Sequence, residues 1–314
     1  MAQSILVYRV KMNFIIILFC SYAKDIKHEI KYNGIYLILG GITMKFWNHI
    51  YEQFDPVAMS LGFVTIHWYG VMYLLALFSA LWFAKHMIKK DDMNIPEETM
   101  DSFFIWVEIG VILGARLGYI IFYDTDPTWY LMQPWQVFNP FVNGEFVGIR
   151  GMSYHGAIIG AMIAMVLFAR RDSTHIFKLL DIVALSVPVG YIFGRIGNFL
   201  NQELIGKTTD VAWGIYVDGV LRHPSQLYEA FLEGVLVALI IYVYRSYKRF
   251  DGELIVYYGV LYGISRFIAE IYREPDYQLG YVCCDSISMG QAMSLGMILF
   301  SLALYGFIKR ASQK

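Results

Sequence analysis

Downstream of about residue 60 the chain alternates long apolar runs with short polar segments. Seven such runs lie at about 63–84, 102–123, 152–169, 180–198, 227–244, 254–272 and 290–308. Each approaches the roughly 20 apolar residues that a helix needs to cross a hydrocarbon core. The pattern predicts an all-α integral membrane protein with seven transmembrane helices. Composition agrees. Hydrophobic residues make up 57% of the 314 positions and charged residues only 16%, against about 25% charged in soluble domains. Mean hydropathy is +0.48. An aromatic share of 17% suits a protein that meets two membrane–water interfaces.

The polar segments orient the map. Lys85, Lys89 and Lys90 follow the first run, and Arg170, Arg171 and Lys178 the third. Arg245, Lys248 and Arg249 follow the fifth, and Lys309, Arg310 and Lys314 the seventh. The alternate segments hold only Arg150, Lys207, Arg222 and Arg273. Lys/Arg-rich loops face the cytoplasm, so the C-terminus is expected there. The longest outward segment, DTDPTWYLMQPWQVFNPFVNGEFVGIR, is rich in Trp and Pro and predicts short interfacial elements on the outer side. Residues 1–43 fit this scheme poorly. Their run FIIILFCSYA is short for a span and resembles a signal-peptide core. The expectation is an N-terminal extension upstream of a true start at Met44, the alternatives being an extra span or a cleaved leader. Residues 44–314 then form one membrane domain. N-terminal sequencing of the purified protein tests this, and an intact Met1 end would overturn it.

The net charge of -1 and the lack of a basic tail give no reason to expect a nucleic-acid partner. Cys20, Cys283 and Cys284 form no zinc-type spacing, so no metal and no cofactor are expected. The informative residues are charges inside the apolar runs: Glu108, Arg116, Arg195, Glu229, Glu233, Arg266 and Glu270. Such residues are expensive in a membrane and face the bundle interior. Some explain themselves as pairs that fix helix register. Arg266 and Glu270 are four apart, on one face with Tyr262 and Arg273, and Arg116 shares a stripe with Tyr119 and Tyr123. Others gather toward the outer ends of their spans: Arg195, Arg266 and Arg273, with His155, Asn198, Asn201, Glu203 and Glu229. Guanidinium forks match phosphate oxygens, and asparagines suit hydroxyl groups. GRIGNFLNQELIG at 194–206 thus reads as a polar floor at the depth of a phospholipid headgroup. Ser153, two residues before His155, lacks a G-x-S-x-G elbow and reads as packing or a helix N-cap.

These residues carry a family resemblance. GRIGNFLNQELIG resembles the signature G-R-x-G-N-F-x-N-x-E-x-x-G of the bacterial prolipoprotein diacylglyceryl transferases. HWYG (67–70), GARLGYIIFY (114–123), RGMSYHG (150–156), HPSQLYEA (223–230), SRFIAEIYREPD (265–276) and SMGQAMS (288–294) follow the family in order. The resemblance runs from about Phe54 to the C-terminus. It implies seven transmembrane helices in the bacterial inner (cytoplasmic) membrane, with the active site toward the outer leaflet. It also implies transfer of a diacylglyceryl group from phosphatidylglycerol to the lipobox cysteine of preprolipoprotein signal peptides. A thioether forms and glycerol 1-phosphate leaves. His155 matches the family's important histidine and is the candidate base for the thiol, with a purely orienting role as the alternative. Arg195 and Arg266 match its key arginines and are assigned to the phosphate. Asn198, Glu203, Gly206 and Tyr69 match headgroup-binding positions. Glu229, Glu270, Arg273, Arg116 and Asn201 are supporting residues. The segment between Gly206 and His223 is short compared with many members, and 1–43 has no expected counterpart.

Three other classes compete, of which a structural membrane-assembly protein would not need three outward-lying arginines near one histidine. A transporter also carries intramembrane Arg and Glu, but no internal repeat is present and the polar residues lean to one side. A metal-dependent phosphotransferase needs a carboxylate cluster, which the sequence spacing does not reveal. Transfer to a lipobox peptide with and without chelator separates these readings.

Overall fold

The computed structural model describes residues 44–311, apart from 63, 125, 143–144, 147–150, 276–280 and 284–286. The expectation about 1–43 and the basic residue Arg150 therefore lie outside the described residues. Seven long helices appear: α1 (Trp68–Lys90), α2 (Glu97–Phe122), α3 (Tyr154–Asp172), α4 (Ile176–Leu200), α5 (Ser225–Tyr247), α6 (Glu253–Ala269) and α7 (Met289–Ala311). Five of them, α1, α2, α4, α5 and α7, are long and apolar enough to cross a membrane. The 19-residue α3 and 17-residue α6 are not among these. The helices otherwise fall on the apolar runs, with ends displaced by a few residues. Each of α1, α2 and α7 presents an apolar exterior, with Phe78, Trp82, Ile121, Phe122, Leu299 and Phe300 all more than 60% exposed. That is the pattern of a surface facing lipid rather than water.

Small residues decide which helices touch. Gly110, Gly114 and Gly118 recur every fourth residue on α2, facing Gly156, Gly160 and Ala164 on α3. A methyl group on Gly110 would stand 2.6 Å from the Gly160 carbonyl oxygen, so the two backbones can meet only because both faces lack side chains. At the basic end, Ile88, Met100, Phe103, Phe168, Leu179 and Ile182 seal α1–α4. Met87, Leu185, Val237, Ile241 and Leu254 join α1, α4, α5 and α6.

Four two-stranded antiparallel hairpins cap the helices: β1–β2 (Val57–Leu61, Val64–His67), β3–β4 (Phe141–Val142, Glu145–Phe146), β5–β6 (Ile215–Val217, Val220–Arg222) and β7–β8 (Tyr281–Cys283, Ile287–Ser288). Short helices Ile50–Gln53 and Pro127–Met132 and the 3₁₀ turn Pro134–Phe138 lie in the same loops. The predicted all-α chain thus carries small β elements in its connections. At the end opposite the basic segments, Tyr51, Phe199 and Ile215 pack together with Trp47, tying the N-terminal segment to the end of α4 and to β5. The signature segment sits here.

Candidate functional site

The signature begins in the last turns of α4 and leaves it at Asn201, whose backbone caps the helix by donating to Gly197 O. Gln202 and Leu204 then take left-handed φ values of 58° and 57°, turning the chain back under the helix end. Gln202 Nε2 holds the turn from outside through the carbonyls of Tyr51 (3.1 Å) and Phe54 (2.8 Å). Gln226, fully buried on α5, donates to the Glu203 carbonyl and to Tyr51 OH at 3.4 Å. Burial lifts the Tyr51 hydroxyl above its ordinary range, against the opposing effect of that Gln226 contact. Gly206 is required by space. A Cβ there would lie 2.9 Å from both His223 Cβ and the Tyr272 carbonyl, where residues 206 and 273 pair as a β-bridge.

Above this floor three helices contribute charges. Arg195 (α4) donates from Nε to Tyr191 OH at 2.7 Å and from Nη1 to Asn198 Oδ1 at 3.2 Å. Asn198 Nδ2 passes the contact on to Glu203 Oε1 at 2.8 Å. Glu229 on α5, with no exposed surface, is the hub. Its Oε2 lies 2.9 Å from Arg195 Nε and 3.1 Å from Arg266 Nη1, and its Oε1 lies 3.5 Å from Arg273 Nη1. Arg266 on α6 also reaches Glu270 (2.6 Å) and Glu233 (3.6 Å). Ser288 Oγ donates to Glu270 Oε1 at 3.2 Å. Glu229 ends the first turns of α5, and Glu233 lies in the π-helical stretch Ala230–Leu236 that follows. Such wide turns inside α-helices recur at functional sites.

Several site atoms have no aligned hydrogen bond among the described residues: Glu229 Oε2, Glu233 Oε1, Arg266 Nη1, Glu270 Oε2 and Gln226 Oε1. These carboxylate and guanidinium atoms sit within ion-pair distance but off the bonding axis. Buried polar atoms left in that state are unusual and leave capacity for a ligand that can accept or donate there.

Tyr69, in the first turn of α1, is 40% exposed and within electrostatic reach of Arg195 and Glu203. Its ring lies beside Gly197, where a Cβ would come within 3.3 Å of it. The structure therefore brings Tyr69, Arg195, Asn198, Glu203, Gly206, Glu229, Arg266, Glu270 and Arg273 to one end of the bundle. Asn201 acts through its backbone. Arg116 does not join them. It is buried on α2 and binds the carbonyls of Val137 and Gly151 (3.2 Å to the latter), with Tyr119 and Tyr130 rings against its guanidinium. These contacts hold the 127–138 segment against α2. His155 lies exposed in the first turn of α3, its ring edge-on to Tyr154. Ser153 is the N-cap of that helix, accepting from Gly156 N at 3.2 Å.

Tertiary contact adds Glu270 to the i,i+4 pair Glu229 and Glu233. Glu229, Glu233 and Glu270 converge around Arg266. Among the described residues no group of three His, Cys, Asp or Glu is arranged to hold a metal ion. Tyr191 joins the cluster without having been singled out in the sequence, and Glu233 and Gln226, assigned no role there, also contact it. The i,i+4 pairs Tyr191–Arg195 and Glu229–Glu233 were the available signal. Beside the site, burial lowers the His223 imidazole against the opposing pull of Asp210, which suits a neutral ring shared with Tyr228 OH at 3.2 Å.

A family model described as prolipoprotein diacylglyceryl transferase matches residues 56–307. A phosphatidylglycerol–prolipoprotein diacylglyceryl transferase of Campylobacter lari is 58% identical over 266 residues, covering 85% of this chain and 98% of that protein. The protein of the same name from Wolinella succinogenes is 58% identical over 264 residues, 84% of this chain and 97% of its own. That of Campylobacter hominis is 56% identical over 270 residues, 86% and 96% respectively.

Proposed function

The chain belongs to the prolipoprotein diacylglyceryl transferase family, and from that premise we propose that it moves the diacylglyceryl group of phosphatidylglycerol onto the lipobox cysteine of preprolipoproteins. It works in the bacterial inner membrane with all seven long helices crossing. The C-terminus is cytoplasmic and the arginine cluster opens to the outer leaflet. Residues 127–138 and the hairpins rest at the outer interface.

The observation that carries this reading is the convergence of Arg195, Arg266 and Arg273 on Glu229 at one end of the bundle. Guanidiniums in that arrangement suit a phosphodiester entering among them. The thiolate of the substrate cysteine attacks the sp³ glycerol carbon. The sulfur–carbon bond forms as the carbon–oxygen bond breaks, and the electron pair leaves on the oxygen of glycerol 1-phosphate. Charge grows on that phosphate, so donors that bind the leaving monoester better than the diester lower the barrier. Arg195 and Arg266 fill that role. Asn198, Glu203 and Tyr69 orient the headgroup glycerol, Gly206 lets the floor close, and Glu229, Glu270 and Arg273 hold the arginines in place. A free thiol is mostly protonated near neutrality. His155 is assigned as the base that takes its proton, since imidazole titrates in that range. The nucleophile belongs to the substrate, so no enzyme cysteine is called for.

The test is release of glycerol phosphate from phosphatidylglycerol by purified protein, with and without a lipobox peptide. Peptide-dependent release that disappears in Arg195→Ala supports the reading. His155→Ala then separates base from orienter by its pH profile. Folded protein that releases nothing with both substrates present would sink the proposal.

A further inference from the structure

Among the described residues the buried cluster is balanced before any ligand arrives: three guanidiniums, Arg195, Arg266 and Arg273, face three carboxylates, Glu229, Glu233 and Glu270. Glu203, held by Asn198 instead of an arginine, adds another negative charge at the rim. A phosphodiester brings one more. Adding an uncompensated charge to a site this enclosed is strongly unfavourable. The arginines cannot supply the balance, because they are always protonated. A proton on one carboxylate can.

The three carboxylates are not equivalent. Glu229 has three arginines around it. Glu270 has Arg266 at 2.6 Å and the Ser288 hydroxyl. Glu233 has one guanidinium within ion-pair distance among the described residues, that of Arg266 at 3.6 Å, and is completely buried. Its Oε2 accepts from Tyr191 OH, while its Oε1 has no hydrogen-bond partner among the described residues. The groups facing it are Tyr191 and Arg195 from α4, Glu229 from α5 itself, and Tyr258, Tyr262 and Arg266 from α6. Apart from Arg195 and Arg266, these are neutral hydroxyls or a like charge one turn away.

We infer that Glu233 is the protonated carboxyl of the phosphate-bound state, a positioning residue that frees Arg266 for the headgroup by giving up its negative charge. The inference rests on the phosphate-site reading above. With Glu233 neutral, Arg266 Nη1 keeps Glu229 as its buried counter-ion and gains an open direction toward the ligand. Phosphate binding is therefore linked to one proton.

The experiment uses the full-length protein in an ester-free detergent. The probe is the deacylated headgroup glycerophosphoglycerol, whose phosphodiester keeps a single charge across the pH range. Wild-type affinity should fall by about tenfold per pH unit on the alkaline side, the slope of one linked proton. Glu233→Gln, which imitates the neutral acid, should bind as tightly as the wild type does at acidic pH and show a flat profile. Infrared difference spectra of the bound wild type should contain a protonated-carboxyl band that Glu233→Gln lacks. Binding weakened tenfold or more at every pH in Glu233→Gln would overturn the inference, as would a wild-type complex without the band or the pH slope. Should the variant fail to fold, the slope and band of the wild type decide alone. No binding of the headgroup by the folded wild type would overturn the phosphate-site reading, and this inference with it.

Discussion

Buried charge occurs at both ends of this bundle, and the two ends treat it differently. At the basic end, Asp181 on α4 has no exposed surface, yet each of its oxygens is used. Oδ2 accepts from Lys248 Nζ and Gly252 N, both at 3.0 Å, and Oδ1 accepts from Leu254 N at 2.9 Å. Asp181 thereby caps the first turn of α6 from a neighbouring helix, meeting amides that a helix start leaves orphaned. Beside it, buried Glu253 binds Arg249 through Nε (2.9 Å) and Nη2 (2.6 Å), and accepts from Tyr244 OH at 3.2 Å. At the signature end, four of the charged atoms lack any aligned partner among the described residues. The difference separates a charge that holds a fold from a charge that waits for a ligand. A structural network gains by saturating every lone pair, whereas a binding site must leave some of that capacity unused until substrate arrives.

Arg195→Ala should have the largest effect. Its loss lowers glycerol phosphate release on the order of 10³-fold, about 4 kcal/mol of transition-state stabilisation. The melting temperature should fall less than in the Asp181 variant below, because Glu229 keeps Arg266 and Arg273. Asp181→Ala should reverse that outcome. It leaves Lys248 with Asp251 alone, strands two backbone amides and costs about 3 kcal/mol of stability, read as a lower thermal midpoint in detergent. Activity per folded molecule should stay near normal. Equal stability losses in the two variants would break the comparison. Arg249→Ala tests it more gently. The Arg249 side chain is 59% exposed, and solvent screening makes the loss of stability smaller than in the Asp181 variant. The smallest effect concerns alkaline pH. Burial alone would lower the Lys248 ammonium, but Asp181 and Asp251 beside it outweigh that and hold it above the ordinary lysine range. Its stabilisation is therefore complete below the unfolded lysine value of about 10.4 and is lost as pH rises through the folded value. A Lys248→Met variant should be less stable near neutrality and should lack that alkaline component of unfolding.

How much of this was legible beforehand depends on distance along the chain. Arg266 with Glu270, Arg116 with Tyr119, and Tyr119 with Tyr123 follow from helical spacing alone, and each of these contacts forms. The meeting of Arg195 with Glu229 joins α4 to α5, and no local pattern specifies it. Arg116 is a supporting residue by the family resemblance, and its contact with the loop at the Val137 carbonyl is one that its own helix does not encode. Likewise Glu233 read as one more intramembrane charge until Tyr191 and Arg266 were seen to face it.

By itself the sequence determined the helical elements, their membrane-like apolarity, the segregation of basic residues to one end and the family signature at the other. Those features depend on composition and on a period of 3.6 residues, which neighbouring residues fully encode. The tertiary structure decided which carboxylate stands beside which guanidinium, which buried atoms remain unsatisfied, and which arginine serves a loop instead of the site. Those outcomes depend on how each helix is rotated against its neighbours. That rotation is set by backbone contact across small residues such as Gly110 and Gly160, a property of two helices together that neither segment carries alone.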